Sequence, residues 1–180
     1  MKKYKTLIVL LSVLVVFVGL YFLVNALNEK QAEKELETDV MVTNLSELKM
    51  LKYTDGKTTL SFVKEKDTWY KEDDKEFALK NIKVNSMEDS LADIVAVREL
   101  KNPDDLADYE LETPKYTITM KDKDGKEAVV YIGKQVGENY YATVGDKKVV
   151  YIVEGVVVDT LEFDLEVLTE TEEETTEATE

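Results

Sequence analysis

A long run without a charged residue, residues 6–27, constrains this chain more than any other feature. The run begins at Thr6, ends at Leu27 and consists almost entirely of apolar side chains. A helix rises about 1.5 Å per residue, so about 20 such residues cross a hydrocarbon core of about 30 Å. The run therefore predicts a transmembrane anchor, with everything after it on one side of a membrane.

The charges that flank this run predict its orientation. Lys2, Lys3 and Lys5 precede it, whereas the segment that follows is mostly acidic. Positive residues are retained on the cytoplasmic side, so we expect a single-pass protein of the cell membrane with a cytoplasmic N-terminus and an extracellular body. The alternative is a signal peptide cleaved near Ala26, which would secrete the same body. The length of the apolar run favours the retained anchor.

Composition excludes several classes of function. The net charge is −15, so nucleic acid is not an expected partner because its phosphates would be repelled. The chain has no Cys and no His, which removes disulfides, thiol nucleophiles, histidine acid–base catalysis and ordinary zinc sites. An exported domain without disulfides is more typical of a bacterial surface than of a eukaryotic secretory route.

Composition also divides the chain into four parts. Residues 1–27 are the cytoplasmic stub and anchor, and residues 28–40, rich in Glu, Lys, Gln and Ala, are predicted to form a polar helical stalk. Residues 41–168 are predicted to form one extracytoplasmic domain. Residues 169–180 carry six Glu and no large apolar side chain, so we expect a disordered acidic tail.

Within the domain, the pattern predicts an α+β fold of antiparallel hairpins and a meander, with a packed helix. Asp55-Gly56 and Asp124-Gly125 each separate two β-rich runs, which is a strong short-range signal for a β-hairpin. Trp69, the only tryptophan, is interpreted as a core anchor in preference to a platform for stacking a ligand.

One helix is predicted between the two β-rich regions. Met87, Leu91, Ile94 and Val95 have the spacing of a single apolar helical stripe, and Ser86 is the expected N-cap. We expect this stripe to pack on the sheet.

Two shorter helical pieces are also predicted. Pro103 is expected at the start of a helical turn that places Leu106 and Tyr109 in the core. Val157 and Leu161 share a face, so a short helix is favoured over a strand after Gly155.

Residues that could carry chemistry are few, and each has a structural explanation. The acidic turn from Asp104 to Glu112 is either a weak calcium site or a solvated loop. An aromatic sheet face could stack a glycan or contact a protein, although half-buried sheet tyrosines are the favoured explanation. The tyrosines concerned are Tyr116, Tyr131, Tyr140, Tyr141 and Tyr151. We therefore assign no catalytic, cofactor-binding or metal-binding residue, and we expect no cofactor.

Motifs in the second half of the chain have a familiar order. They are Asn102-Pro103-Asp104-Asp105-Leu106-Ala107-Asp108-Tyr109-Glu110-Leu111-Glu112-Thr113-Pro114, then Tyr131-Ile132-Gly133-Lys134, and finally Val150-Tyr151-Ile152-Val153. This order resembles the bacterial domain-of-unknown-function family 4340, over most of residues 45–168. The resemblance implies a membrane-anchored extracytoplasmic α+β module and supplies no catalytic residues to carry over to this chain. Some relatives occur beside gliding-type or ABC-2-type transporter components.

One position departs from that family's pattern. Glu110 stands where the family usually has Gly. If the backbone there needs a positive φ, Glu costs on the order of 1 kcal/mol relative to Gly.

These observations favour a non-enzymatic binding or accessory module of an ABC-transporter or envelope complex. A surface module that binds glycans or cations is the alternative, and a hydrolase that uses paired carboxylates is a weaker one. The sequence does not predict the partner, the ligand or the oligomeric state.

Overall fold

The computed structural model describes residues 18, 21, 40–100 and 103–170. The chain divides into two compact units, Met1–Thr38 and Asp39–Glu180. In the first unit only Val18 and Tyr21 are described, both helical and exposed. Among the described residues, no helix is long and apolar enough to cross a membrane. Apart from Val18 and Tyr21, the predicted anchor, the stalk up to residue 39 and the tail beyond residue 170 lie outside the described residues.

The described residues of the second unit form one antiparallel sheet of nine strands. Its strands are β1 (Val40–Met41), β2 (Leu48–Thr54), β3 (Thr59–Glu65), β4 (Thr68–Lys71), β5 (Val95–Leu100), β6 (Tyr116–Asp122), β7 (Glu127–Val136), β8 (Asn139–Val144) and β9 (Val150–Glu154). Their spatial order is β1-β5-β9-β8-β7-β6-β2-β3-β4. The hairpin block β2–β4 and the meander β6–β9 are therefore joined side by side through β2 and β6.

The predicted fold class, an α+β domain behind a transmembrane helix, is wrong. Strands make up most of the regular secondary structure of the described domain, and its helices α1 (Asn81–Leu91) and α2 (Val156–Asp159) are short, with a 3₁₀ turn at Leu106–Tyr109. Part of the apolar stripe that predicted a helix belongs to the sheet. Val95 begins β5, whose β-branched residues suit a strand paired with β9.

Helix α1 begins and ends earlier than predicted. Ser86 lies in its middle, where its hydroxyl donates to the Ile82 carbonyl at 3.0 Å and caps nothing. Thr43 marks the helix end, because its buried hydroxyl donates to the Leu91 carbonyl at 3.0 Å and accepts from the Ile94 N–H at 2.8 Å. These two bonds turn the chain out of the helix and toward β5.

The hairpin predicted at Asp55-Gly56 is confirmed between β2 and β3. One carboxylate oxygen of Asp55 accepts from the backbone N–H groups of Lys57 at 2.8 Å and Thr58 at 2.6 Å. Gly56 has φ +83°, a conformation that is available to Gly at little cost. A local signal is sufficient here because all the contacts that decide the turn lie within three residues.

A buried carboxylate organises the second predicted hairpin, between β6 and β7. One oxygen of Asp122 accepts from the N–H groups of Asp124 and Lys126, each at 2.9 Å. Its other oxygen accepts from the Ser46 hydroxyl at 3.1 Å and from the Ser46 N–H at 3.4 Å. Burial raises the pKa of Asp122, but the hydrogen bonds outweigh it and leave the pKa below its ordinary value.

The main core lies between one face of the sheet and the covering helices and C-terminal loop. Trp69 is fully buried, which confirms it as a core anchor. Tyr53 packs edge-on against Phe163, with ring centroids 5.1 Å apart, and its hydroxyl donates to the Glu162 carbonyl. Burial, together with the nearby charge of Glu162, raises the pKa of Tyr53. Other core side chains are Leu51, Leu60, Phe62, Val84, Met87, Leu91, Ile118, Met120, Val130, Ile132, Val153, Val157 and Leu161.

The segment between β5 and β6 packs against β7 and β8. Leu111 is the fully buried residue of this segment, whereas Leu106 and Tyr109, which were predicted to enter the core, are only half-buried. The Tyr109 ring lies 4.8 Å from that of Tyr141. Gly133 lies inside β7, not in a loop, and an added Cβ would come within 2.1 Å of the Tyr109 carbonyl oxygen. Only Gly therefore permits this close approach.

Candidate functional site

A groove of about 610 Å³ opens at one end of the meander. Its lining residues come from strands β5, β7, β8 and β9, from the β7–β8 turn, and from α2 with the residue before it. Its lining residues are Val97, Gln135, Glu138, Asn139, Tyr140, Glu154, Gly155, Val156 and Asp159. Both valines are about half exposed, at 51% each. The groove thus combines apolar contact area with polar side chains.

The tight β7–β8 turn forms one wall of the groove. Val136 pairs with Asn139, so only Gly137 and Glu138 connect the two strands. Gly137 has φ +63°, which this short turn requires. The Gln135 side-chain amide donates to the Gly137 carbonyl at 3.2 Å and braces the turn.

Gly155 forms the floor between this turn and α2. A Cβ atom there would lie 2.4 Å from the Glu138 carbonyl oxygen. The Gly155 carbonyl also accepts from the N–H groups of Val158 and Asp159, each at 2.9 Å, and so begins α2. Close backbone packing therefore brings Glu138, Val156 and Asp159 to one opening.

The charge around the groove is negative. Glu138, Glu154 and Asp159 are exposed, and none of the lining residues is Lys or Arg. The groove therefore suits a ligand with apolar and cationic groups.

A family model described as "Domain of unknown function (DUF4340)" matches residues 69–176, more than half of the chain. The chain belongs to this family. A search of curated proteins and a search of solved structures each gave no match. The match begins at the Trp69 strand and includes every strand that lines the groove.

The five tyrosines that were candidates for an aromatic face do not form one patch in the DUF4340 domain. Tyr116 and Tyr140 belong to the main-core side, as does Tyr151. Tyr131 and Tyr141 lie on the opposite face, where the Lys147 ammonium sits 4.3 Å from the centre of the Tyr131 ring. Tyr140, at the groove, is 8% exposed. The predicted aromatic surface is therefore divided between two faces.

The acidic turn is held by bonds within the segment. The Asp105 carboxylate accepts from the Ala107 N–H at 3.3 Å and caps the 3₁₀ turn. The Tyr109 hydroxyl accepts from the Asp104 N–H at 3.1 Å. Throughout residues 40–100 and 103–170, no three Asp or Glu side chains are grouped so as to hold a metal ion.

Carboxylates also fail to form a buried pair at the groove. A hydrolase of the predicted kind needs at least one carboxyl group shielded from water, so that its pKa is adapted to proton transfer. The groove carboxylates are exposed. Asp122 is buried, but it accepts hydrogen bonds from the Asp124 and Lys126 N–H groups of the β6–β7 hairpin.

None of the groove residues was predicted from the sequence except Tyr140, which was considered for a different surface. Nothing in the sequence distinguishes the exposed Val97 and Val156 from buried valines such as Val157. The one available signal was Gly137-Glu138 between two β-rich runs, which indicates a tight turn. It does not indicate which other elements meet there.

Proposed function

We propose that this DUF4340 domain is a non-enzymatic binding module held at the outer surface of a bacterial cell membrane. The observation that supports binding is the groove, where two half-exposed valines lie among carboxylates that are free of ion pairs in the described part of the chain. Apolar surface that lies in a groove and is bordered by polar side chains is typical of a binding site.

Attachment to the membrane is proposed from the sequence. The charge-free residues 6–27 are long enough to span a bilayer, and the lysines before them favour an extracellular body. The module would then act beside other membrane proteins, as an accessory of an ABC transporter or an envelope complex.

Crosslinking from the groove tests the binding role. Because the chain has no Cys, a single Val156→Cys variant carries the only thiol, and a thiol-directed photocrosslinker can be attached there in native membranes. We expect an adduct with a transporter or envelope protein. Asp67→Cys, in the exposed turn between β3 and β4, is the matched control and should give none. Equal adducts from both positions, or recovery of the protein alone, would contradict the proposal.

Thiol labelling in intact cells tests the location. Lys57 is exposed in the β2–β3 turn, so Lys57→Cys should react with a membrane-impermeant maleimide. Lys3→Cys should react only after lysis. Lys147 is less suitable for this labelling than Lys57, because its ammonium donates to the Leu111 carbonyl at 3.1 Å and its φ is +58°. Labelling of Lys57→Cys only after lysis would rule out an extracellular domain.

A further inference from the structure

The groove contains a tyrosine hydroxyl that this protein leaves unused. Tyr140 lines the groove and is 8% exposed, so more than nine-tenths of the residue is buried. In the described part of the chain its hydroxyl makes no hydrogen bond, although the Lys115 ammonium lies 6.0 Å from the centre of its ring. Among the described side chains only Trp69 has a polar atom that is both fully buried and without a partner, so the Tyr140 hydroxyl is still accessible. Buried tyrosines usually give this group a partner, and here a ligand in the groove can supply one.

Three carboxylates of the groove are also without a partner. Glu138, Glu154 and Asp159 are exposed, and in the described residues their side chains make no ion pair or hydrogen bond. Asn139 and Glu154 are register partners in β8 and β9, so their side chains are neighbours at the ends of these strands. Throughout the described ranges no carboxylates are grouped so as to hold a metal ion. This arrangement favours an organic cation.

We propose that the groove binds an alkylammonium group, that is, a primary ammonium on an aliphatic stem. The proposal rests on the binding role proposed above and gives its ligand a chemical class. A primary ammonium has three N–H donors, so it bonds to the Tyr140 hydroxyl oxygen while the carboxylates balance its charge. Val97 and Val156, half exposed in the same lining, contact the methylene groups of the stem.

Charge and size decide against other classes of ligand. The three carboxylates repel anions, and a neutral sugar gains nothing from their field. The groove, at about 610 Å³, has the volume of a small-molecule site, and it exceeds the needs of a single inorganic ion. Two sources supply an alkylammonium group of suitable length: a free aliphatic polyamine and a Lys side chain of a partner protein.

Calorimetric titration of the full chain in detergent micelles tests the ligand class. The probe is 1,5-diaminopentane, and we expect binding that weakens as salt rises. Pentane-1,5-diol, which has the same stem without charge, should not bind. The bis(trimethylammonium) analogue keeps both charges but has no N–H donor, so it should bind about tenfold more weakly. Equal binding of the two dications would mean that the groove only attracts counterions, and it would overturn the inference.

A second titration distinguishes the two sources. The peptide acetyl-Gly-Lys-Gly-amide carries the same ammonium, and its Nε-acetylated form is the neutral control. Tighter binding of the diamine would support the site and assign it to a free polyamine. Tighter binding of the peptide would support the site and assign it to a Lys side chain of a partner protein. Equal binding of the peptide and its acetylated form would overturn the inference.

Tyr140→Phe separates ligand binding from stability. It removes only the hydroxyl, which has no hydrogen-bond partner in the described chain, so the free energy of unfolding should change little. Diamine binding should weaken about tenfold, because a hydrogen bond to a charged group is lost. If urea denaturation shows a large loss of stability and calorimetry shows unchanged binding, the hydroxyl has a structural role and the inference is overturned.

Charge variants locate the site. Glu138→Gln, Glu154→Gln and Asp159→Asn should each weaken diamine binding about two- to fivefold, which is the range for an exposed ion pair. Glu127→Gln removes the same charge from β7, where Glu127 is exposed and does not line the groove, and should leave binding unchanged. Equal weakening in Glu127→Gln would mean that the whole acidic surface attracts the probe, which would overturn the inference.

The outcomes also separate this inference from the binding role on which it rests. An adduct from Val156→Cys, without binding of either amine probe, would retain the binding role and overturn only the alkylammonium ligand. Absence of both would overturn both. Binding of the diamine without any adduct would support the alkylammonium site and contradict the transporter or envelope partner.

Discussion

The carbonyl oxygen of Glu138 lies so close to Gly155 that a Cβ atom there would be 2.4 Å away. Backbone atoms form this contact, so a rotamer change cannot relieve it. The β7–β8 turn and the start of α2 must separate to admit any side chain. The shape of the groove therefore depends on residue 155 being Gly, whose Cα carries a hydrogen atom where every other residue has a Cβ atom.

Gly155→Ala should destabilise the domain by about 1–3 kcal/mol, the usual cost of overpacking, and should widen the groove. Urea denaturation measures the first effect, and the Val156→Cys crosslink, repeated in the Gly155→Ala background, measures the second. Gly137→Asn is the control in the same hairpin. No atom lies within 4 Å of the added Cβ there, and Asn tolerates a positive φ. A similar loss of stability in both variants would argue against the close contact.

The Asp122 carboxylate should make stability depend on pH. Its pKa is lowered in the folded chain, because the hydrogen bonds from Lys126, Ser46 and Asp124 outweigh burial. The stabilisation is therefore fully present above its unfolded pKa of about 4 and is lost as the pH falls through the folded value. Asp122→Asn cannot ionise at this position. Its free energy of unfolding should therefore fall furthest below that of the natural chain at neutral pH, and the difference should shrink in acid.

Urea midpoints at a series of pH values test this sign. Ser46→Ala keeps the carboxylate but removes the hydroxyl that donates to it at 3.1 Å. It should raise the pKa of Asp122 toward its ordinary value. It should also reduce the pH-dependent part of the free energy of unfolding without abolishing it. If Asp122→Asn lowers the free energy of unfolding by the same amount at every pH, or by more in acid, the pH dependence does not come from the Asp122 carboxylate.

Local sequence signals succeed in this chain where the deciding contacts are local. Asp55-Gly56 predicts a hairpin correctly because Asp55 bonds to the N–H groups of Lys57 and Thr58. The helix prediction fails at Val95 for the opposite reason. Its apolar spacing suits a helix, but a buried hydroxyl from Thr43, far away in sequence, ends the helix. Val95 then pairs with Met41 of β1, and the rest of β5 pairs with β9.

The groove could not be predicted for a related reason. Val97 and Val156 are exposed, whereas the neighbouring residues Ala96 and Val157 are buried. Periodicity identifies an apolar side chain but not the edge of the sheet, because strand order is set by pairing between distant segments. The motifs that carry the family resemblance include neither Val97 nor Val156.

Glu110 should store strain that Gly would release. Its φ of +56° confirms that the position needs a left-handed backbone. Such a conformation costs a non-Gly residue about 1–2 kcal/mol, and the greater freedom of Gly in the unfolded chain offsets part of the gain. Glu110→Gly should therefore raise the free energy of unfolding by about 0.5–1 kcal/mol. Glu112→Gly, at an exposed position without a positive φ, should lower it. Thermal or urea unfolding of the pair decides the matter, and destabilisation by Glu110→Gly would contradict the strain.

Thr43 should contribute more to stability than its size suggests. Its hydroxyl is buried and satisfies both the Leu91 carbonyl and the Ile94 N–H. Thr43→Val keeps the shape but leaves both backbone groups without that partner, so we expect a loss of about 2–3 kcal/mol. Thr43→Ser keeps the hydroxyl and loses one methyl group, which should cost about 1 kcal/mol. If urea denaturation shows that Ser is as costly as Val, packing of the methyl group is what holds the end of α1 against the start of β5.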